Sequence, residues 1–156
     1  MKRRVVITGM GVVSPIGNNV EEVWDALQEG RCGIGKVTHF DTSEFRAKLA
    51  GEVKDLDMEQ YFTKRELKFN DCFTQFARIA AKQAYADSGL SEDTIKADAF
   101  GVILGSGIGG IATIEGASTT LKDRGPSRVS PYFIPMALIN LAPGSVAIDL
   151  GAKGNV

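Results

Sequence analysis

Two cysteines, one histidine and one tryptophan in 156 residues leave several chemistries without material. Cys32 and Cys72 are too few for a disulfide framework and lack the spacing of metal ligands, which points to a reducing compartment and to no bound metal. Neither sits where a helix N-terminus is expected, so both read as inert thiols. His39, the single imidazole, lies in "THFDTS", which offers no adjacent nucleophile or acid, so a structural role is expected. Charge of one sign is missing as well: 18 Lys plus Arg face 19 Asp plus Glu, a formal charge of -1, and no field draws nucleic acid or an anionic membrane. No run approaches the ~20 apolar residues of a membrane helix. The start, "MKRRVVITGMGVV", imitates a basic leader, but Thr8, Gly9 and Gly11 interrupt it and no cleavage site follows Pro15. It reads as a first strand.

What is present is a chain with 44% apolar residues, enough for one domain with a core. "RVVITG" (4–9) and "FGVILG" (100–105) are apolar on both sides, as strands at the buried centre of a parallel sheet are. "NVEEVWDALQEG" predicts a helix capped by Asn19, with Val20, Val23, Trp24 and Leu27 on its core face and Gly30 closing it. The longest helical pattern starts at Thr63, with Glu66 in capping-box register, and runs to Gly89; Phe73, Phe76, Ala77, Ala80 and Ala84 form its stripe, and the alanines permit close approach of another element. A short strand is expected near "LAGEV" and a helix over "GGIATIEGASTTLKDRG". Pro135 and Pro143 can each occupy a first helical turn. Strands alternating with helices define an α/β fold with a mostly parallel sheet.

"GSGIGG" at Gly105 to Gly110 matches the G-x-G-x-x-G pattern of a dinucleotide-binding turn, and NAD or FAD binding is one reading of it. The acidic residue that should end a second strand ~20 residues on would fall in "RGPSRVSP", which is no strand. The other reading is close backbone approach, with Ile108 an isolated apolar plug. Tyr132, Phe133, Ile134, Met136, Ala137 and Leu138 are too apolar for a solvated loop and belong to a core or a subunit contact. Lys64, Arg65 and Lys68 crowd one helical turn. They are either a solvated face or the dock of an acidic partner, since cations near a helix N-terminus oppose its dipole.

Taken together, "RRVVITGMGVVSPIGN", "HFDTSEF", "GVILGSGIGG" and "SPYFIPMALINLAPGSVAIDLGAKG" resemble, in order and across the whole chain, the amino-terminal portion of the β-ketoacyl-[acyl-carrier-protein] synthases, synthase II most of all. The resemblance implies a thiolase-like layered α/β fold of two similar halves, with residues 1–156 forming most of the first. It implies a cytoplasmic homodimer without a cofactor that condenses acyl thioesters with malonyl-acyl carrier protein in fatty acid elongation, or in a polyketide pathway. The family's nucleophilic cysteine follows "GAKGNV" along a buried strand and its two histidines come much later. None of the three is in this chain, so these residues alone are expected to be inactive. By the same resemblance Gly107 and Ile108 line the acyl pocket with Ile108 as gate. Phe133, Ile134 and Ala137 cross the dimer interface to shape the partner's pocket, and Lys64, Arg65 and Lys68 dock carrier protein. Phe69 stands where a further basic residue is common.

Overall fold

A computed structural model describes residues 3–91 and 93–156 of the chain. In order, the elements are α1 (Val20–Gln28), β1 (Ile34–Lys36), β2 (Leu49–Gly51), α2 (Lys64–Phe69), α3 (Cys72–Asp87), α4 (Ile111–Arg124), α5 (Phe133–Ala137) and α6 (Leu141–Leu150), with short 3-10 turns between. The centre of the fold is α3 packed along α6. Ile79 is fully buried there, and Ala142, Val146 and Ala147 of α6 are buried with it. Among the described residues no helix is long and apolar enough to cross a membrane.

The starts of α1, α2 and α3 follow their caps. The Asn19 side chain accepts from the Glu22 backbone N–H, as expected, and the Glu22 carboxylate returns to the Asn18 N–H at 2.7 Å. The core face of α1 is shifted, however: Ala26 is its buried residue, while Trp24 and Leu27 are both exposed. The single helix expected from Thr63 to Gly89 is two helices. Asn70 is extended, and Asp71 caps a new helix by accepting from the Phe73 N–H. A short polar side chain that can satisfy orphan N–H groups starts a helix as readily as it interrupts one. Pro135 and Pro143 are each the third residue of their helices, α5 and α6, inside the first turn.

The sheet departs further from expectation. The one named sheet among the described residues pairs β1 with β2 antiparallel, Gly35 opposite Ala50; the "LAGEV" strand is therefore real but belongs to a hairpin. Residues 4–9 and 100–105 carry no ladder, and Val5, Ile7 and Ile103 are 92%, 85% and 98% exposed. Their apolar character was legible, but a strand needs a neighbour to satisfy its backbone. One such neighbour begins to form at the end of the chain. The Gly154 N–H donates to the Phe100 carbonyl at 2.8 Å and the Val102 N–H to the Asn155 carbonyl at 2.9 Å, so the two segments run in the same direction.

The N-terminal run is held instead by α3. Gly9 and Gly11 lie so close to the helix backbone at Ala84 and Ala80 that no Cβ would fit, which is the close approach the alanines permit. The Met10 N–H donates to Asp87 at 2.8 Å and the Val12 N–H to Gln83 at 2.9 Å. The accessible surface is 11530 Å² for 16.7 kDa, against roughly 7,600 Å² for a self-contained monomer of that mass. Exposed apolar side chains such as Val5, Ile7, Ile103 and Ile148 contribute to that excess.

Candidate functional site

The loop after residues 100–105 and the start of α5 face each other across a cavity of about 830 Å³. Ile108, Phe133, Ile134 and Ala137 all line it, joined by Val102, Leu104, Ile114, Leu138, Ile139 and Pro143. No ionisable side chain is among its lining residues; Asn140 and Asn155 supply the polar ones. A chamber of this size and character suits a long apolar group. The chain thus brings Ile108 together with Phe133, Ile134 and Ala137 within itself. Gly107 is exposed and outside the lining, in open space with nothing within 4 Å of a Cβ. Ile114 and Ile139 were missed in the sequence, because one sits in a weakly amphipathic helix and the other in a turn.

The glycines of "GSGIGG" divide into two kinds. Those at 105 and 107 are unconstrained, whereas Gly109 (φ +84°) and Gly110 press against α5. The Gly110 N–H donates to the Ala137 carbonyl at 3.1 Å, and the Gly109 N–H to the Ser106 hydroxyl at 3.0 Å. The loop is therefore shaped for close approach of backbone to backbone, the alternative to nucleotide binding. A diphosphate would also need the N-terminus of α4 free. That position is taken: the buried Asp71 carboxylate accepts from the Thr113 N–H at 3.2 Å and from its hydroxyl at 2.6 Å. A resident carboxylate repels the phosphate that a dinucleotide would place there.

Lys64, Arg65 and Lys68 are all exposed on α2, a separate six-residue helix. Phe69, where a further cation might have stood, sets its ring tilted at 36° against Tyr132 with centroids 4.1 Å apart and ties α2 to the start of α5. Behind α2 lies a polar cluster that no spacing in the sequence announced. Arg78, in the middle of α3 and buried, donates through Nε and Nη2 to both oxygens of Asp149 at 2.7 Å each. It also donates to Glu66 at 2.9 Å, and its guanidinium lies 4.7 Å from the Phe62 ring centroid. The Thr63 N–H, then Arg78 and the Thr63 hydroxyl, hold the Glu66 carboxyl down at about 2 from an ordinary 4.5.

One of the two thiols differs from expectation in placement. Cys72 is the first residue of α3, so it does occupy a helix N-terminus. The protein packed around it and, second, the neighbouring Asp71 charge nevertheless hold its thiol above the ordinary value, although the residue reaches solvent. It is a poor nucleophile for a reason other than position. His39 is exposed, with Nε2 3.9 Å from Glu52, and it lines the same cavity as Cys72.

The apolar chamber lies between a glycine loop and α5, and residues 2–156 carry the mark of the ketosynthase class of condensing enzymes. The chain belongs to the β-ketoacyl synthase family: residues 2–156 match the model of its N-terminal domain. It is 48% identical over 153 residues to the 3-oxoacyl-[acyl-carrier-protein] synthase 2 of Synechocystis sp., covering 98% of this chain and 37% of that protein. Among solved structures, the ishigamide ketosynthase/chain length factor superposes with a TM-score of 0.88 at 29% identity, over 99% of this chain and 39% of that one. A type II polyketide ketosynthase solved in complex with its acyl-carrier protein superposes with a TM-score of 0.78 at 21% identity, over 98% of this chain and 41% of that one, a likeness of fold. The fold is thus the thiolase-like one of the ketosynthases, and the chain spans little more than a third of the length of these proteins.

Proposed function

We propose that the protein to which these residues belong elongates acyl chains by decarboxylative Claisen condensation, and that this chain supplies the acyl chamber wall and the carrier-protein dock. The acyl group is transferred from its carrier to a cysteine outside these residues, forming a thioester. Decarboxylation of malonyl-acyl carrier protein releases carbon dioxide and leaves a carbanion equivalent, which attacks that thioester carbonyl. The cysteine thiolate leaves, and the β-ketoacyl chain remains on the carrier. The observation that carries this reading is the 830 Å³ chamber with no ionisable group in its lining, into which Ile108 and Phe133 both project a face. An acyl chain gains from such a wall about 0.8 kcal/mol per buried methylene, whereas a nucleotide would find no partner for its phosphates.

Ile108 acts as gate and Gly107 gives it room; Phe133, Ile134 and Ala137 set the depth, in a homodimer where α5 also meets the partner subunit. Lys64, Arg65 and Lys68 receive the acidic carrier protein. Service in fatty acid elongation is favoured over a polyketide pathway by 48% identity to a 3-oxoacyl-[acyl-carrier-protein] synthase 2. A cytoplasmic setting agrees with the two unpaired thiols. The test is acyl-enzyme formation by the intact protein, followed by mass spectrometry over acyl groups from two to sixteen carbons. Ile108→Trp fills the mouth of the chamber and is expected to reduce loading progressively with chain length, by up to roughly fourfold for each methylene that can no longer be buried. A loss equal at every length would show that Ile108 is a core plug and that the chain lies elsewhere.

A further inference from the structure

The basic face of α2 rests on a helix that has little reason to exist alone. It has six residues and buries none of them, too short to be held by its own hydrogen bonds. Lys64 and Arg65 in its first turn oppose the dipole, and Lys64 repels Lys68 at i,i+4. Something outside the helix must offset these terms if the three cations are to be presented as a fixed array. The surrounding bonds show what does.

Glu66 divides its two carboxylate oxygens between separate tasks. Oε2 accepts from the Thr63 N–H and from the Thr63 hydroxyl, both at 2.9 Å, while the Thr63 Oγ accepts from the Glu66 N–H at 3.3 Å. That closes the capping box. Oε1 accepts from Arg78 Nη2 at 2.9 Å. Arg78 cannot yield to a movement of α2, because its side chain is 7% exposed, is held twice by Asp149 of α6 and lies against Phe62. The cap of a surface helix is thereby fastened to the α3–α6 core.

We infer that Glu66 and Arg78 are positioning residues for carrier-protein docking: they hold α2 in the one orientation in which Lys64, Arg65 and Lys68 face outward together. This rests on the reading of those three cations as the dock. Its distinctive consequence is one of sign. Glu66 is an acidic group, 38% exposed, within a face that meets an acidic partner, so on charge alone its removal would tighten docking. If it positions the helix, its removal loosens docking although the face becomes more positive.

The experiment is titration of the intact protein with acyl carrier protein, by calorimetry at low and moderate salt. Glu66→Gln is nearly isosteric, but its one amide oxygen cannot accept from both Thr63 and Arg78, so it is expected to raise Kd by about three- to tenfold, from loss of the fastening to Arg78 and of the fraction of time α2 is in place. Thr63→Ala, which changes no charge, is expected to reproduce that loss, and Thr63→Ser to restore wild-type affinity. Unchanged or tighter binding by Glu66→Gln overturns the proposal, as does a lower melting temperature with unaltered affinity. Lys64→Glu separates the dock from the positioning role. If it weakens binding while Glu66→Gln does not, the dock stands and the positioning role falls; if Lys64→Glu has no effect, the dock itself is wrong and the proposal falls with it.

Discussion

Gly109 is the position where the loop geometry can be tested most directly. It has φ +84°, and a Cβ there would lie 2.6 Å from the Ala137 carbonyl oxygen and 3.0 Å from Ile139 Cγ1. Ordinary contact begins at 3.4 Å, so loop and α5 would have to part by 3.4 − 2.6, or about 0.8 Å, to admit a methyl group. The displaced carbonyl is the one that accepts from the Gly110 N–H at 3.1 Å, so that bond is strained as well. An alanine at positive φ costs about 1 kcal/mol, overpacking adds about 1–3 kcal/mol, and the weakened bond about 1 kcal/mol more. We expect Gly109→Ala to destabilise the intact protein by roughly 3–4 kcal/mol, summing the lower to middle parts of these ranges. Gly107→Ala, two residues away in the same motif, meets nothing within 4 Å and has no positive φ. It should be neutral or slightly stabilising, by up to about 1 kcal/mol through the unfolded chain. Denaturant-induced unfolding of both variants beside the wild type decides the matter. Equal effects at the two glycines would refute the division of the loop into a free half and a packed half.

Two further outcomes concern titratable groups. Because the Glu66 carboxyl is held at about 2 in the folded protein against an ordinary 4.5, its contribution is complete above 4.5 and lost as pH falls through 2. The difference in melting temperature between wild type and Glu66→Gln should therefore shrink as pH is lowered across that window; a constant difference would mean that the carboxylate charge plays no part. The raised thiol of Cys72 predicts that its alkylation by iodoacetamide accelerates only at pH values above those at which an unperturbed thiol becomes reactive. Peptide mass mapping across a pH series reads this out, and rapid labelling of Cys72 near neutrality would show that the helix N-terminus outweighs burial and Asp71.

The sequence by itself determined the local signals and the family. Asn19 and Thr63 were legible as caps because a capping side chain bonds only two or three residues ahead, and both do. Ile108 was expected at an acyl pocket of its own subunit, and Phe133, Ile134 and Ala137 at the partner's; the chain places all four around one chamber of its own, and their roles there are proposals. The break at Asn70–Asp71 was also present in the residues, but it was hidden by an apolar periodicity that runs on through it. Asp71 won there because it satisfies the start of α3 and, through Thr113, the start of α4.

Other features were decided only by the tertiary structure, and each depends on a partner distant in the chain. The runs at 4–9 and 100–105 have the composition of central strands, yet a ladder is a relation between segments, and residues 100–102 share their backbone bonds with 154–155. Which glycines of "GSGIGG" are free and which are packed depends on where α5 lies, not on the motif's spacing. Arg78 reads in the sequence as one more cation on a helix. It becomes the link between Glu66, 12 residues before it, and Asp149, 71 residues after it, only when α2, α3 and α6 are brought together. Burial then requires that its charge be matched on every side.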